Sequence, residues 1–347
     1  MKSRFVTVKA AAVAVVLAAY AGPATAQDPA AFYKGRNIDV ITASSAGGGY
    51  DAYARIIARH MVRHTPGPPN FVVRNMPGAG ARNATTYLAD VGARDGTVLL
   101  LTQPGALVEP ILGDPTKIFY KPLEFAYIGS AEGFTSTCLL RSDSTVKDYA
   151  ELHVKEATFG GDQIGSTTYD HAVMFKNLSK AKMKIISGYK GTNELVLALQ
   201  RKEVDGFCGY AWSSLFARSA DMVTSGMVKI INQLTITPHP EATKAGVPMA
   251  LDFVKDPLDR KAMELIATVQ EFGRPYLVHG AVPADRIAAL RKAFDDTMKD
   301  PEYIDEVKKA RLDVSPRTGS EVHALLRKVL EAPKEVQERA RWSILPP

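Results

Sequence analysis

The sequence is poor in the residues that build reactive centres. Only two cysteines, Cys138 and Cys208, occur in 347 residues, so no zinc or iron–sulfur centre can be made from cysteine ligands. An oxidising compartment would let them pair. Each sits in an apolar strand pattern where a small hydrophobe suffices, and two unpaired thiols are the expectation. No Gly-Lys-Ser or Gly-Lys-Thr follows a glycine run, which excludes a P-loop, and there is neither a G-x-S-x-G elbow nor an H-E-x-x-H helix. The seven histidines, His60, His64, His153, His171, His239, His279 and His323, are dispersed without metal-ligand spacing. His171 stands apart because it lies within a turn of a helix start at Ser166-Thr167, where ligand contact and plain solvation are both open. Basic residues form no stripe interleaved with aromatics, so nucleic acid has no support as a partner. Repeats, low-complexity segments and long linkers are absent as well.

What the chain does have begins with a leader. Lys2, Arg4 and Lys9 precede an apolar run over 10–20 and the small-residue site Ala24-Thr25-Ala26, the layout of a secretory signal peptide cleaved after residue 26. A membrane anchor would need an apolar stretch of about 20 residues, longer than this one. Loss of those three basic residues lowers the formal net charge from +6 to +3, a mild positive field that suits anionic ligands. The remaining 321 residues exceed what one core usually serves and point to two lobes.

The rest of the chain is arranged around Ser44-Ser45-Ala46-Gly47-Gly48-Gly49-Tyr50-Asp51, between the apolar run 38–41 and a helical pattern from Ala52. Three glycines let the backbone take positive φ and let amide N–H groups converge on one point. The following helix adds the positive end of its dipole there, with Asp51 or Ser45 available as a cap, so a carboxylate or phosphate would be stabilised. The same grammar repeats. Strand 71–74 runs into Met76-Pro77-Gly78-Ala79-Gly80-Ala81-Arg82, and strand 98–102 into Gln103-Pro104-Gly105. Strand, turn and helix in alternation describe a parallel sheet with helices on its faces, whose ligands sit outside the carboxyl ends of the strands.

Two apolar runs, 125–130 and 135–141, flank Glu132-Gly133-Phe134, and then the unit restarts. Helix 145–153 leads to strand 157–159, the turn 160–168 with Gln163, Gly165, Ser166 and Thr167, and helix 169–178. Strand 183–186, the turn Gly188-Tyr189-Lys190-Gly191, helix 192–200 and strand 204–208 with Asp205 follow. A helix over 213–225 leads to strand 228–231, which is expected to carry the chain back to the first lobe. The last third is mostly helical, with Asp256-Pro257 and Val282-Pro283 as helix starts and 275–278 as a strand.

Gly47-Gly48-Gly49-Tyr50-Asp51-Ala52 also fits the looser dinucleotide pattern, but the next strand ends in Arg74-Asn75 where an acidic residue would hold the ribose. Five turns rich in Gly, Ser, Thr and Asn, with no activated nucleophile or acid–base pair, describe a site that binds without reacting. No cofactor or metal is implied.

These residues resemble the Bug family of extracytoplasmic solute receptors, the binding-protein component of tripartite tricarboxylate transporters. The family's A-G-G-x-x-D turn is matched at 46–51, its N-x-P-G-A-G segment at Asn75 to Gly80, and its D-G-x-T/V-L-L at Asp95 to Leu100. The G-S helix start is matched at Gly165-Ser166, the Y-K-G turn at Tyr189 to Gly191, and the V-D strand at Val204-Asp205. The resemblance implies an α/β, two-lobed periplasmic binding protein fold of type II, each lobe a central sheet flanked by helices. Lobe one would be 27–135, lobe two 136–230, and 231–347 a largely helical return to lobe one. It further implies a monomeric, periplasmic, non-enzymatic receptor that closes on a small carboxylate and serves membrane components of a transporter, or a sensor. Ligand contacts are expected from residues 44–51, Gly78, Ala79, Gly80, Arg82, Gln103 and Phe134 of lobe one. Gln163, Gly165, Ser166, Thr167, His171, Tyr189 and Asp205 would close from lobe two. The family implies a di- or tricarboxylate ligand. The sequence departs from its pattern with Thr42 for Pro, Arg82 for Asn, Tyr169 for His and Gly209-Tyr210 for Asp-Asn, and Arg82, Tyr50, Phe134 and Tyr169 would make a larger or more aromatic pocket, open to an aromatic or longer dicarboxylate.

Overall fold

The apolar run at 38–41 forms the middle of β1 (Asn37–Thr42), which pairs in parallel with β2 (Asn70–Asn75) and β3 (Val98–Leu101). The computed structural model describes residues 28–345; the expected leader lies outside them. All four residues of β3 are buried, as a strand covered by helices on both faces requires. β10 (Pro275–Val278) runs antiparallel between β3 and β4 (Ala126–Ser130), and β11 (Arg317–Thr318) closes the edge, giving the order β11-β4-β10-β3-β1-β2. The second sheet has the order β7-β6-β8-β5-β9, from β5 (Ser136–Arg141), β6 (Ala157–Gly160), β7 (Met183–Ile186), β8 (Gly206–Ala211) and β9 (Val228–Leu234). Here β6 is parallel to β7 and β8.

Residues 131–135 join β4 of one sheet to β5 of the other, and the return to β10 runs through 235–274. β9 does not carry the chain back as expected. It stays at the edge of the second sheet to Leu234, held by its antiparallel register with β5. Behind the cleft one apolar cluster joins the lobes, combining Leu100 and Leu107 with Phe159, Met174 and Phe175. The last helix, Lys334–Ile344, packs on helix Pro257–Gln270 and also touches helices Pro104–Leu112 and Thr167–Leu178, one from each lobe.

Two helices expected from the sequence are altered. Over 145–153 only a short 3₁₀ turn, Glu151–His153, forms. The Ser144 hydroxyl takes the Val146 N–H, Glu151 takes that of Lys147, and Asp148 takes that of Glu151, so side chains occupy donors that a helix would use. The segment 213–225 breaks at Ser219 into helices Trp212–Arg218 and Ala220–Thr224.

The expectation of free thiols is overturned. Cys138 and Cys208 form a disulfide, directly opposite one another on β5 and β8 with Cα atoms 3.9 Å apart. Strand patterning made each position read as a buried hydrophobe, but antiparallel pairing of two distant runs brings them together.

Candidate functional site

Parallel pairing puts the carboxyl ends of β1, β2 and β3 on one edge and those of β6, β7 and β8 on another. A cavity of about 750 Å³ lies between these edges. The residues preceding five helices of nine or more residues all line it: Gly48, Ala81 and Gln103 from the first lobe, Ser166 and Gly191 from the second. Only Ser166 caps its helix with a side chain, accepting from Tyr169 N–H at 3.3 Å. At the other four no side chain takes a first-turn N–H, so unspent donors and positive dipole ends converge on one space. Such an arrangement stabilises an anion.

The glycine turn is shaped by Asp51, although Asp51 does not itself line the cavity. Its carboxylate accepts from Gly47 N–H (2.8 Å), Asn75 Nδ2 (2.9 Å) and Arg55 Nε (3.0 Å). Burial pushes its carboxyl up, but these bonds outweigh it and hold it below the ordinary value. Of the three glycines only Gly47 takes a positive φ, +78°. Gly49 is required for another reason: a Cβ there would stand 2.4 Å from Ser214 Oγ and 3.2 Å from Arg274 Nη2.

Beneath this turn lies a buried ion pair. Arg274 Nε donates to Glu132 Oε1 at 2.8 Å, with side-chain exposures of 2% and 1%. Ser213 donates to the same carboxylate, Tyr53 to its other oxygen, and Arg274 Nη2 to Ser214 Oγ. The guanidinium stacks between the Tyr50 and Tyr53 rings, 4.5 and 4.3 Å from their centroids. Burial pushes the Glu132 carboxyl above its ordinary value against the pull of Arg274. For Arg274 burial works against the charge, and Glu132 with the two tyrosines outweighs it, so the guanidinium stays protonated.

The lobes touch across the cleft. With its amide oriented to satisfy its neighbours, the Gln163 side-chain oxygen accepts from Ala79 and Gly80 N–H at 2.9 and 3.2 Å. Gly80, at φ +61°, passes so close to Gly165 that a Cβ would stand 2.6 Å from its carbonyl oxygen. Ala79 and Ala81 both adopt left-handed φ, +47° and +75°, a strain of roughly 1–2 kcal/mol each concentrated at the cleft.

Of the residues expected to contact ligand, Ser44, Ser45, Gly48, Gly49, Tyr50, Gly78, Gly80, Gln103, Phe134, Gln163, Ser166, Thr167 and Tyr189 line the cavity. Ala46, Gly47, Asp51, Ala79, Arg82, Gly165, His171 and Asp205 are not among the lining residues. Arg82 is bound to Glu109, which Tyr120 also holds. Asp205 accepts from Thr158 N–H at 2.9 Å and pins β6 to the start of β8. His171 is neither solvated nor at the cavity: it is buried, 2.8 Å from Ser136 Oγ and 3.4 Å from Gln270 Nε2. Sequence reasoning missed Asp162, Lys190, Tyr210, Ser214, Arg218 and Arg274, all of which line the cavity. Ser213-Ser214 follows a parallel strand like the other turns, a signal that was there to be read; Arg274 offered only a lone charge before a buried strand. Among the described residues no cluster of three or more His, Cys, Asp or Glu side chains could hold a metal ion.

Burial lowers the His171 pKa from 6.5 to about 3. The ring is therefore expected to show no titration in NMR spectra between pH 8 and 5. Because the folded value is depressed, its contribution is intact above pH 6.5 and is lost as pH falls toward 3, by at most about 1.4 kcal/mol per pH unit. A His171 resonance titrating near 6.5 would contradict this placement.

No protein-family model and no curated protein matches the sequence. Solved structures do. MatC from Rhodopseudomonas palustris with bound malate is 20% identical, with 87% of this chain and 99% of that chain covered at a TM-score of 0.66. The periplasmic binding protein BugD is 21% identical, covering 89% and 97% at 0.68. R. palustris Rpa4515 with adipate is 16% identical, covering 88% and 97% at 0.67. The likeness shows the fold: a two-lobed α/β periplasmic binding protein architecture, two mixed sheets flanked by helices.

Proposed function

We propose that this chain is an extracytoplasmic solute receptor of the Bug family, which closes two lobes on a small carboxylate and delivers it to the membrane components of a tripartite tricarboxylate-type transporter. The observation that carries the reading is the convergence of four helix N-termini without side-chain caps on one interlobe cavity. Backbone donors of this kind bind an anion but offer no nucleophile or proton relay, which supports capture without turnover. The ordered motifs point the same way, and so do the malate and adipate held by two proteins of this fold. The leader supports export to the periplasm, and the receptor acts as a monomer.

A thermal-shift screen of the mature protein, residues 27–347, against mono-, di- and tricarboxylates, aromatic acids included, tests this. An acid present at 100 times its Kd is expected to add about 2.7 kcal/mol. Gly48→Val serves as the blocked control. Gly48 has φ −76° and its added Cβ would meet nothing closer than Ser45 O at 3.4 Å, so the variant is expected to fold while its side chain fills cavity space. Absence of any stabilising acid, or an undiminished shift in Gly48→Val, would overturn the reading.

A further inference from the structure

Two guanidinium groups approach the 45–49 turn from different parts of the chain. Arg274 comes from the return crossing and lies beside Gly49. Arg218, at the end of helix Trp212–Arg218 in the second lobe, reaches across the cleft until its Nη2 is 4.0 Å from where a Cβ on Gly47 would stand. Both line the cavity. Their charges are in different states. Arg274 is neutralised by Glu132 at 2.8 Å. Arg218 donates to a neutral amide, Asn193 Oδ1, at 3.3 Å, and among the described residues no carboxylate forms an ion pair with it. The acids on the same wall face elsewhere: Glu194 accepts from Lys190 N–H and Asp162 from Gln163 N–H, each at 2.8 Å.

The Arg218 guanidinium is exposed, so water solvates its charge in the unliganded cleft, and it stands over the positive end of the Gly49–Met61 helix, where a bound anion that displaces that water becomes its counter-charge. One anionic group at the helix N-terminus uses the backbone donors and leaves Arg218 without a counter-charge. A second anionic group supplies it, through the short charge-assisted hydrogen bonds that a guanidinium forms with a carboxylate. Because Arg218 belongs to the second lobe and the turn to the first, that contact is made only when the lobes are together. We propose that Arg218 is a specificity-determining residue of the cleft, selecting a ligand with two anionic groups over the matched ligand with one. This rests on the carboxylate reading above and assigns to Arg218 the counter-charge for the ligand's second anionic group.

Calorimetry with matched acids tests it: succinate against butyrate, adipate against hexanoate, terephthalate against benzoate, on wild type, Arg218→Gln, Arg218→Lys and Arg201→Gln. Arg201 is an exposed second-lobe arginine outside the cavity and controls for the general field. For the pair that wild type binds, Arg218→Gln is expected to weaken the dianion about 10- to 100-fold and the monoanion less than about threefold. Arg218→Lys recovers part of the loss, and Arg201→Gln changes neither. An unchanged dianion-to-monoanion ratio in Arg218→Gln, or an equal loss in Arg201→Gln, overturns the role of Arg218 while leaving carboxylate binding in place. Failure of every acid to bind wild type removes the carboxylate reading and this inference together.

Discussion

Glu132→Gln is expected to destabilise the protein by about 3–5 kcal/mol, the range for breaking a buried ion pair from one side. The substitution removes a charge and leaves another: Arg274, 2% exposed, would remain protonated between two tyrosine rings and beside a helix N-terminus that repels it. Attraction between guanidinium and ring is worth only about 2 kcal/mol even when desolvated and cannot replace the carboxylate. The pair also has an unusual place in the fold. Glu132 lies in the segment that leaves the first lobe and Arg274 in the segment that returns, and Ser213 and Ser214 of the second lobe complete their hydrogen bonds. Urea unfolding at pH 7 measures the effect. Glu132→Gln combined with Arg274→Gln should recover part of the loss, because no charge is then left without a partner. A single-variant loss below about 1 kcal/mol would show that water reaches the pair.

The parts of the cleft that were legible in the sequence are those built from backbone. Gly and Ser clusters after parallel strands mark turns, and parallel pairing forces turns such as 43–48 and 76–81 to one edge. Side-chain chemistry misled for the same reason. Asp51, Arg82, His171 and Asp205 attracted attention as charged or titratable residues near those turns, yet each is engaged by protein partners away from the cavity. Conversely, Arg274 and Arg218 reach the site through tertiary packing that no local pattern announces. The disulfide was hidden likewise, since two small residues in two apolar strands carry no sign of their register.

Cys138 and Cys208 are expected to show no thiol labelling in the denatured, unreduced protein, and their joint replacement by alanine should cost about 4 kcal/mol. The cysteines are 70 residues apart, and in the chain-entropy account a loop of that length, closed in the unfolded state, is worth about this much. The cross-link joins β5 to β8, and between them lie β6, β7 and helices Thr167–Leu178 and Thr192–Gln200, nearly the whole second lobe. Its loss should therefore act unevenly. Hydrogen exchange is expected to rise in β6, β7 and their helices while β1 and β3 of the first sheet keep their protection. The bridge is fully buried, so reductant should act only at the rate at which this lobe opens, and an anion that holds the lobes together should slow reduction. Thiols that label without reduction would show the cysteines to be unpaired; a uniform rise in exchange across both sheets would show instead that the two lobes unfold as one unit.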